Sequence, residues 1–336
     1  YYLGLINWNN RDIDKAKALF DQCANAPDYA PFYVLRGVLR QAKSVSGGGA
    51  TDVLADFNRS IELDPGSWRN WQYLINYHEG KNDLQKQLEL SKKAYERFPD
   101  NPAIRIEYAK ALIATGDPKG SISVLNKTLV LPYEGAREGR VTFELANLAT
   151  ARDLMQKSKF REALKYIEQS RIWPESLGAG KPYEPDERLQ DLMAFYCEQQ
   201  RGNLKKAEEY RSRIRSFSLD PEHWRSGWNA SNNFIAAAVL DYPVNTQGMG
   251  DDKDQDYRRQ IEALAREWEH GLDSLKNWGI SDALASPAVA WTLAKYHKDE
   301  AKAKSLEDKL LSSERESFFR IMINTFELMA KPYRLR

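Results

Sequence analysis

The chain has 336 residues, 42% of them hydrophobic and 29% charged, with 49 Lys and Arg against 48 Asp and Glu for a formal net charge of +1. Such values belong to a folded chain with a sizeable core, exclude a disordered one, and call for neither nucleic acid nor a membrane surface as partner. Two cysteines, Cys23 and Cys197, and four histidines, His78, His223, His270 and His297, supply neither a disulfide framework nor a metal-ligand cluster, and no apolar run is long enough to span a membrane.

The opening Tyr1-Tyr2-Leu3-Gly4 reads as helix interior rather than as a signal peptide. The chain is therefore read as a piece of a longer precursor, with its compartment open between cytoplasm and periplasm. A first helical pair turns near Asn10. A Gly-rich insert over 42–51 predicts a flexible loop. Amphipathic helices follow over 53–63, 68–79, 84–98 and 102–115. Pro65 and Pro99, 34 residues apart, punctuate them, and Pro102 suits a first helical turn, where its missing N–H is not needed. Gly80–Asn82, Gly116–Asp117 and Gly202–Asn203 mark the turns inside pairs, each followed by a charged helix. A long helix is expected over 138–155. The Pro- and Gly-containing stretch 172–187 predicts an ordered loop, packed back by burial of Trp173 and Tyr183 at its ends. Beyond residue 221 the repeat fades. Helices are expected near 222–242, 254–277, 286–297, 299–311 and 314–330, with those after 254 covering the last apolar face. Trp71, Trp224 and Trp268 are assigned to the core, while Trp8 and Trp173 are the candidates for exposed rings.

The 34-residue helix–turn–helix period resembles the tetratricopeptide repeat. Leu3, Gly4, Ala16 and Phe20 fit its packing positions in the first unit, and Gly37, Phe57 and Pro65 in the second. Trp71, Leu74, Ala94 and Pro99 fit the third, Tyr108, Ala109, Leu112 and Leu125 the fourth, Ala163 and Ile167 the fifth, and Gly202 and Ala207 the sixth. Gln87 departs from the pattern, which prefers Ala there, and predicts looser packing. The resemblance implies an all-α, right-handed α–α superhelix, or solenoid, over 1–220. Residues 221–336 are then degenerate repeats or a helical C-terminal cap packed on it. Residues 1–220 also resemble the helical part of large bacterial proteins that join such repeats to an upstream β-rich domain related to carbohydrate-active modules.

No catalytic constellation is legible. Gly47–Gly49 is followed by Ala-Thr, which is no phosphate loop, and His78–Glu79 lacks a second histidine four residues on. Glu267 and His270 share a helix face as an ordinary pair, and His297 suits a helix C-terminus. Cys23 and Cys197 read as small core fillers. No catalytic residue, metal site or cofactor is expected.

The family's ligand groove is lined by the first helix of each pair. Carried over, this implies a partner surface of Arg69, Gln72, Asn76 and Glu79 in the third unit, and of Ile106, Lys110 and Ile113 in the fourth. The fifth unit adds Leu148, Arg152 and Met155, and the sixth Leu192, Tyr196 and Gln199, with Trp173 at the rim. Asn76 and Lys110 would suit the family's carboxylate clamp, but Gln72 and Ile106 would not. The expected function is a noncatalytic protein-interaction or scaffolding module, taking a protein or peptide, or a covalently linked upstream domain. The alternative is a helical accessory region of a bacterial carbohydrate-active protein. A homo-oligomer through an exposed end of the stack is a third reading. Nucleic acid and a membrane span are not expected.

Overall fold

The structure, a computed structural model, describes residues 1–23, 27–44, 50–132, 136–216, 259, 263, 266, 269, 270, 287–312 and 316–330. Among these there are fifteen α-helices and one 3-10 turn, and no strand. The chain divides into two compact units, Tyr1–Val130 and Leu131–Arg336. That division falls inside the stretch 1–220 expected to form one domain. The expected boundary near 220, and the helices expected over 222–242 and 254–277 with Trp224 and Trp268, lie outside the described residues save for isolated positions.

The first unit comprises α1 (Tyr2–Asn9), α2 (Ile13–Asp21), α3 (Ala30–Ser44), α4 (Ala50–Leu63), α5 (Trp68–Gly80), α6 (Leu84–Arg97), α7 (Pro102–Ala114) and α8 (Pro118–Leu125). Consecutive helices pack as pairs, α1 with α2 through α7 with α8, and the second helix of each pair also meets the first helix of the next. The second unit holds α9 (Glu138–Gln156), α10 (Phe160–Ser170), the 3-10 turn Glu175–Leu177, α11 (Arg188–Gln200), α12 (Leu204–Ser216), α13 (Pro287–Tyr296), α14 (Glu300–Leu311) and α15 (Phe318–Ala330). Here α9/α10, α11/α12 and α13/α14 are pairs, and among the described residues α15 packs on α9, α11 and α14.

One turn recurs inside six of these pairs. The first helix ends on a residue of positive φ: Arg11 (62°), Asn82 (57°), Gly116 (89°), Ser158 (56°), Gly202 (75°) and Lys298 (58°). The next backbone N–H reaches back five residues, as from Asp83 to His78 O at 3.0 Å and from Asp299 to Ala294 O at 2.9 Å. This satisfies a carbonyl that the helix end leaves without a partner. Asp12, Asp83, Asp117 and Asp299 then cap the second helix, each carboxylate accepting the backbone N–H three residues on. Four residues past the capping position comes Ala16, Gln87, Ser121, Ala163, Ala207 or Ala303, none more than 3% exposed. A small residue there lets the paired helices approach closely. The pair α13/α14 obeys the same rule, so a repeat that looks degenerate in its apolar residues keeps its turn.

Among the described residues, buried clusters hold the pairs together. Ala16, Phe20, Phe32, Tyr33 and Leu39 form one, with Trp8 half-buried against it. Phe57, Leu74, Ile75, Tyr77, Leu90, Ala94 and Ile104 belong to a second, on which Trp71 is half-buried. In the second unit one cluster joins α9–α15, with Trp291 2% exposed at its centre. Asp56, 2% exposed, ties α3 to α4 by pairing with Arg36 Nη2 at 2.6 Å and Arg40 Nη1 at 2.9 Å.

The loop 172–187 is ordered, but its anchors differ from those expected. Trp173 is half-buried beneath the Arg140 guanidinium, whose Cζ lies 4.4 Å from the ring centroid. Tyr183, by contrast, is 98% exposed, and the buried apolar anchor is Leu177 of the 3-10 turn at 1%. Ion pairs make the tyrosine unnecessary at the returning stem. Arg171 Nη1 lies 2.5 Å from Glu187 Oε2, and Arg188 Nη2 lies 2.6 Å from Asp186 Oδ2.

Candidate functional site

On α5, Arg69, Gln72, Asn76 and Glu79 are spaced by three or four residues and so share one helical face. Arg69 and Asn76 are exposed, and Gln72 and Glu79 half-buried. Arg69 lies over the Trp68 ring with Cζ 4.5 Å from its centroid, an arrangement that holds the guanidinium extended. Gln72 donates through Nε2 to Glu107 Oε1 on α7 at 3.0 Å, and Lys110 Nζ stands 3.5 Å from the same oxygen. Glu107 is 2% exposed, so a buried carboxylate organises the polar groups of two neighbouring first helices. Ile106 and Ile113, expected on this face, are 6% and 4% exposed and belong to the core. Sequence reasoning missed Glu107, whose signal was its i,i+3 spacing to Lys110, and Tyr73, which is 40% exposed and stacked on Phe57 at 6.0 Å.

The corresponding face of the second unit is different. Leu148 and Met155 on α9 and Leu192 on α11 are at most 1% exposed, and Tyr196 is 7% exposed with its ring edge-on to Phe160. Among the described residues, α15 packs on both α9 and α11. Arg152 pairs through Nη1 with Glu316 Oε2 at 2.5 Å and approaches Asn324 Oδ1 at 3.4 Å. Its Nη2 is 2.7 Å from Asp153 Oδ1. The structure thus places Arg152 and Tyr196 in an intramolecular interface rather than on an open surface, because an apolar face of this kind must be covered. Gln199 is half-buried at the end of α11. Trp173 is on none of these helices and is partly covered by Arg140.

Beneath the 172–187 loop lies a network of buried charges. Arg140, 3% exposed, donates to Ser170 O at 2.7 Å and to Glu144 Oε2 at 2.9 Å, and Gln190 donates to Glu144 Oε1 at 2.6 Å. Burial pushes the Glu144 carboxyl above its ordinary range and the Arg140 guanidinium below its own, with their mutual attraction opposing in each case. Burial raises Asp191 likewise, against its contact with Arg171. These charges join helices to one another.

His78 Nδ1 lies 3.1 Å from the capping carboxylate of Asp83. His297 Nε2 lies 2.6 Å from Glu269 Oε1, where a helix-terminus contact was expected; His270 is exposed, and Glu267 is outside the described residues. Both cysteines are free thiols, and burial drives the Cys197 pKa far up, which suits a core filler and not a nucleophile. Among the described residues, no group of three or more His, Cys, Asp or Glu could hold a metal ion. Nor is any described helix long and apolar enough to cross a membrane.

Residues 80–129, which contain α6, α7 and α8, match the tetratricopeptide repeat family model. No curated protein matches the sequence. Among solved structures, a chain of the assembly described as "Structure of Naa15/Naa10 bound to HypK-THB" is similar at 12% identity with a TM-score of 0.38, over 99% of this chain and 55% of that one. This chain therefore spans about half the length of that neighbour. The family match falls on α6 and the pair α7/α8, whose turn, caps and crossing positions recur in other pairs among the described residues, and residues 80–129 are accordingly of the tetratricopeptide-repeat type.

Proposed function

We propose that the chain is a noncatalytic protein-interaction module, with its partner surface on the α5/α7 face of the first unit. The observation that carries the reading is a polar face on which Arg69 and Asn76 are exposed beside the Gln72–Glu107–Lys110 network. Such a face offers amide and charged groups to an extended peptide or to a loop of a folded partner. Its charge is mixed, Arg69 and Lys110 against Glu79 and Glu107, so it selects by pattern rather than by net charge. No observation favours the carbohydrate-associated alternative, since Trp8 and Trp173, the rings that motivate it, are both half-buried against the chain's own side chains.

A photo-crosslinking residue at position 76, compared with one at exposed Lys93 on α6, identifies what binds the face. Binding of the recovered protein to the purified chain is then measured by calorimetry. Asn76→Ala is expected to weaken it by roughly two- to thirteenfold, the effect of about 0.5–1.5 kcal/mol for one lost hydrogen bond. Lys93→Ala should leave it unchanged. Equal losses in both variants, or in neither, would reject this face as the partner surface.

A further inference from the structure

The turns inside α9/α10 and α11/α12 lie at one end of their stack. Arg140 at the start of α9 bonds Ser170 at the end of α10, and Gln190 at the start of α11 bonds Glu144 on α9, so these three termini meet. The turns at Lys157–Lys159 and Arg201–Asn203 are therefore together at the opposite end, where the Phe160 and Tyr196 rings stand 5.9 Å apart. Lys157, Lys159, Arg161, Arg201, Lys205 and Lys206 are all exposed there. Lys159 reaches Glu162 at 3.9 Å and Arg201 reaches Glu198 at 2.7 Å, and among the described residues the other four form no ion pair. At the matching turns of the first unit, Asp12, Asp83 and Asp117 cap the second helices, and Leu84 is 9% exposed. Here Lys159 and Asn203 hold the capping position, basic side chains enter the first turns against the helix dipole, and Leu204, the counterpart of Leu84, is 63% exposed. Cations at these turns weaken the two helices slightly and an exposed leucine buries nothing, so folding accounts for neither.

We propose that this basic edge of the second unit, centred on Leu204, docks an acidic polypeptide segment that carries one large apolar side chain. The cations draw in its carboxylates, and Leu204 supplies the apolar contact inside a polar rim. Nucleic acid is the poorer fit. Its bases stack on exposed rings, whereas at this edge Phe160 is half-buried and Tyr196 buried. Exposed Glu162 and Glu209 also interrupt the cations, which a peptide of mixed side chains accommodates and a continuous phosphate backbone does not. The proposal concerns the turn end of the second unit and stands independently of the α5/α7 face.

The probe is a fluorescein-labelled peptide, Asp-Glu-Asp-Leu-Glu-Asp-Glu, titrated into the full chain and followed by fluorescence anisotropy. Lys205→Gln combined with Lys206→Gln is expected to weaken its binding about tenfold. Leu204→Ser should weaken it about fivefold through the lost apolar contact. Lys92→Gln combined with Lys93→Gln, exposed on α6, should leave it unchanged. The two α12 lysines oppose the helix dipole, so the chain lacking their charges should melt at the same or a higher temperature while it loses the peptide. A lower melting temperature together with lost binding would give these lysines a structural role and overturn the proposal. So would equal losses in the α6 and α12 variants, or no loss in either. A peptide with Ser in place of its Leu binding equally well would overturn it too, as would duplex DNA of equal charge or phosphatidylserine vesicles binding as tightly as the peptide.

Discussion

Gly37 on α3 lies so close to the Phe57 ring on α4 that a Cβ built on the glycine would sit 2.7 Å from Phe57 Cε1. Phe57 is fully buried, so the ring has no room to withdraw. Gly37→Ala is therefore expected to cost about 1–3 kcal/mol of stability, the range for overpacking a filled core, despite the better helix propensity of alanine. At Gly80, the last residue of α5, nothing lies within 4 Å of such a Cβ. There the same substitution should stabilise by about 0.4–1 kcal/mol. Urea unfolding of the two variants measures the opposed signs, and equal signs would contradict the close approach.

Gln87 and Ser121 occupy the crossing position that alanine holds in the other four turns. Gln87 is 1% exposed with both amide atoms lacking a partner, and the Ser121 hydroxyl is buried in the same condition. The expected loose packing at Gln87 is thus a different defect, a polar group shut into a tight place. Gln87→Met keeps the length of the side chain and removes the stranded amide, for an expected gain of about 1–3 kcal/mol. Ser121→Ala should gain roughly 1 kcal/mol on the same grounds. A loss of stability in either variant, read from the denaturation midpoint, would mean that the polar atoms find partners in solution.

The recurrent turn makes a further, position-specific prediction. A left-handed backbone costs a residue with a Cβ about 1–2 kcal/mol relative to glycine. Ser158→Gly, at φ 56°, should therefore stabilise, while Gly202→Ala, at φ 75°, should destabilise by about 1 kcal/mol. Thermal unfolding monitored by circular dichroism distinguishes the two. Matching shifts of the same sign would exclude backbone strain as the cause.

Burial holds the Glu144 carboxyl above its ordinary value of 4.5, with Arg140 and Gln190 only partly opposing. The native chain then takes up a proton more readily than the unfolded one. Stability from this group consequently rises as pH falls from neutrality toward 4.5 and is fully present below it. Glu144→Gln should abolish that rise, and it should lower stability at neutral pH because the buried Arg140 guanidinium loses its carboxylate partner. The difference between the two midpoint-versus-pH curves isolates the effect from carboxylates that respond in the opposite sense. Parallel curves would show that the ion pair with Arg140, and not burial, governs Glu144.

Much of the architecture is legible because its determinants are local. Asp83, Asp117 and Asp299 cap helices through N–H groups three residues away, and the residues before them take up the positive φ that ends the preceding helix. The alanines that follow at a fixed offset keep each pair close. These features lie within a dozen residues of one another, so the helix pairs of the first unit can be read directly. The signals that end α13 and start α14 at Lys298–Asp299 are equally local, and the helices expected over 286–297 and 299–311 break there. On α5, spacing alone placed Arg69, Gln72, Asn76 and Glu79 on one face.

The fate of each face was beyond the reach of such signals. The apolar stripes of α9 and α11 required a cover, but hydrophobicity has no direction and does not name the segment that supplies it. Only the folded chain brings Glu316 to Arg152 across 164 positions, turning a supposed ligand contact into an internal pair. Likewise, the prolines and rings of 172–187 announced an ordered loop, while the ion pairs of Arg171 and Arg188 decided that Leu177 would be buried and Tyr183 left in water. Capping, turn and crossing preferences are properties of short segments and were set by the sequence itself. Which polar face stays open and which apolar face closes depends on distant side chains competing for the same surface, and that competition is resolved only in the tertiary structure.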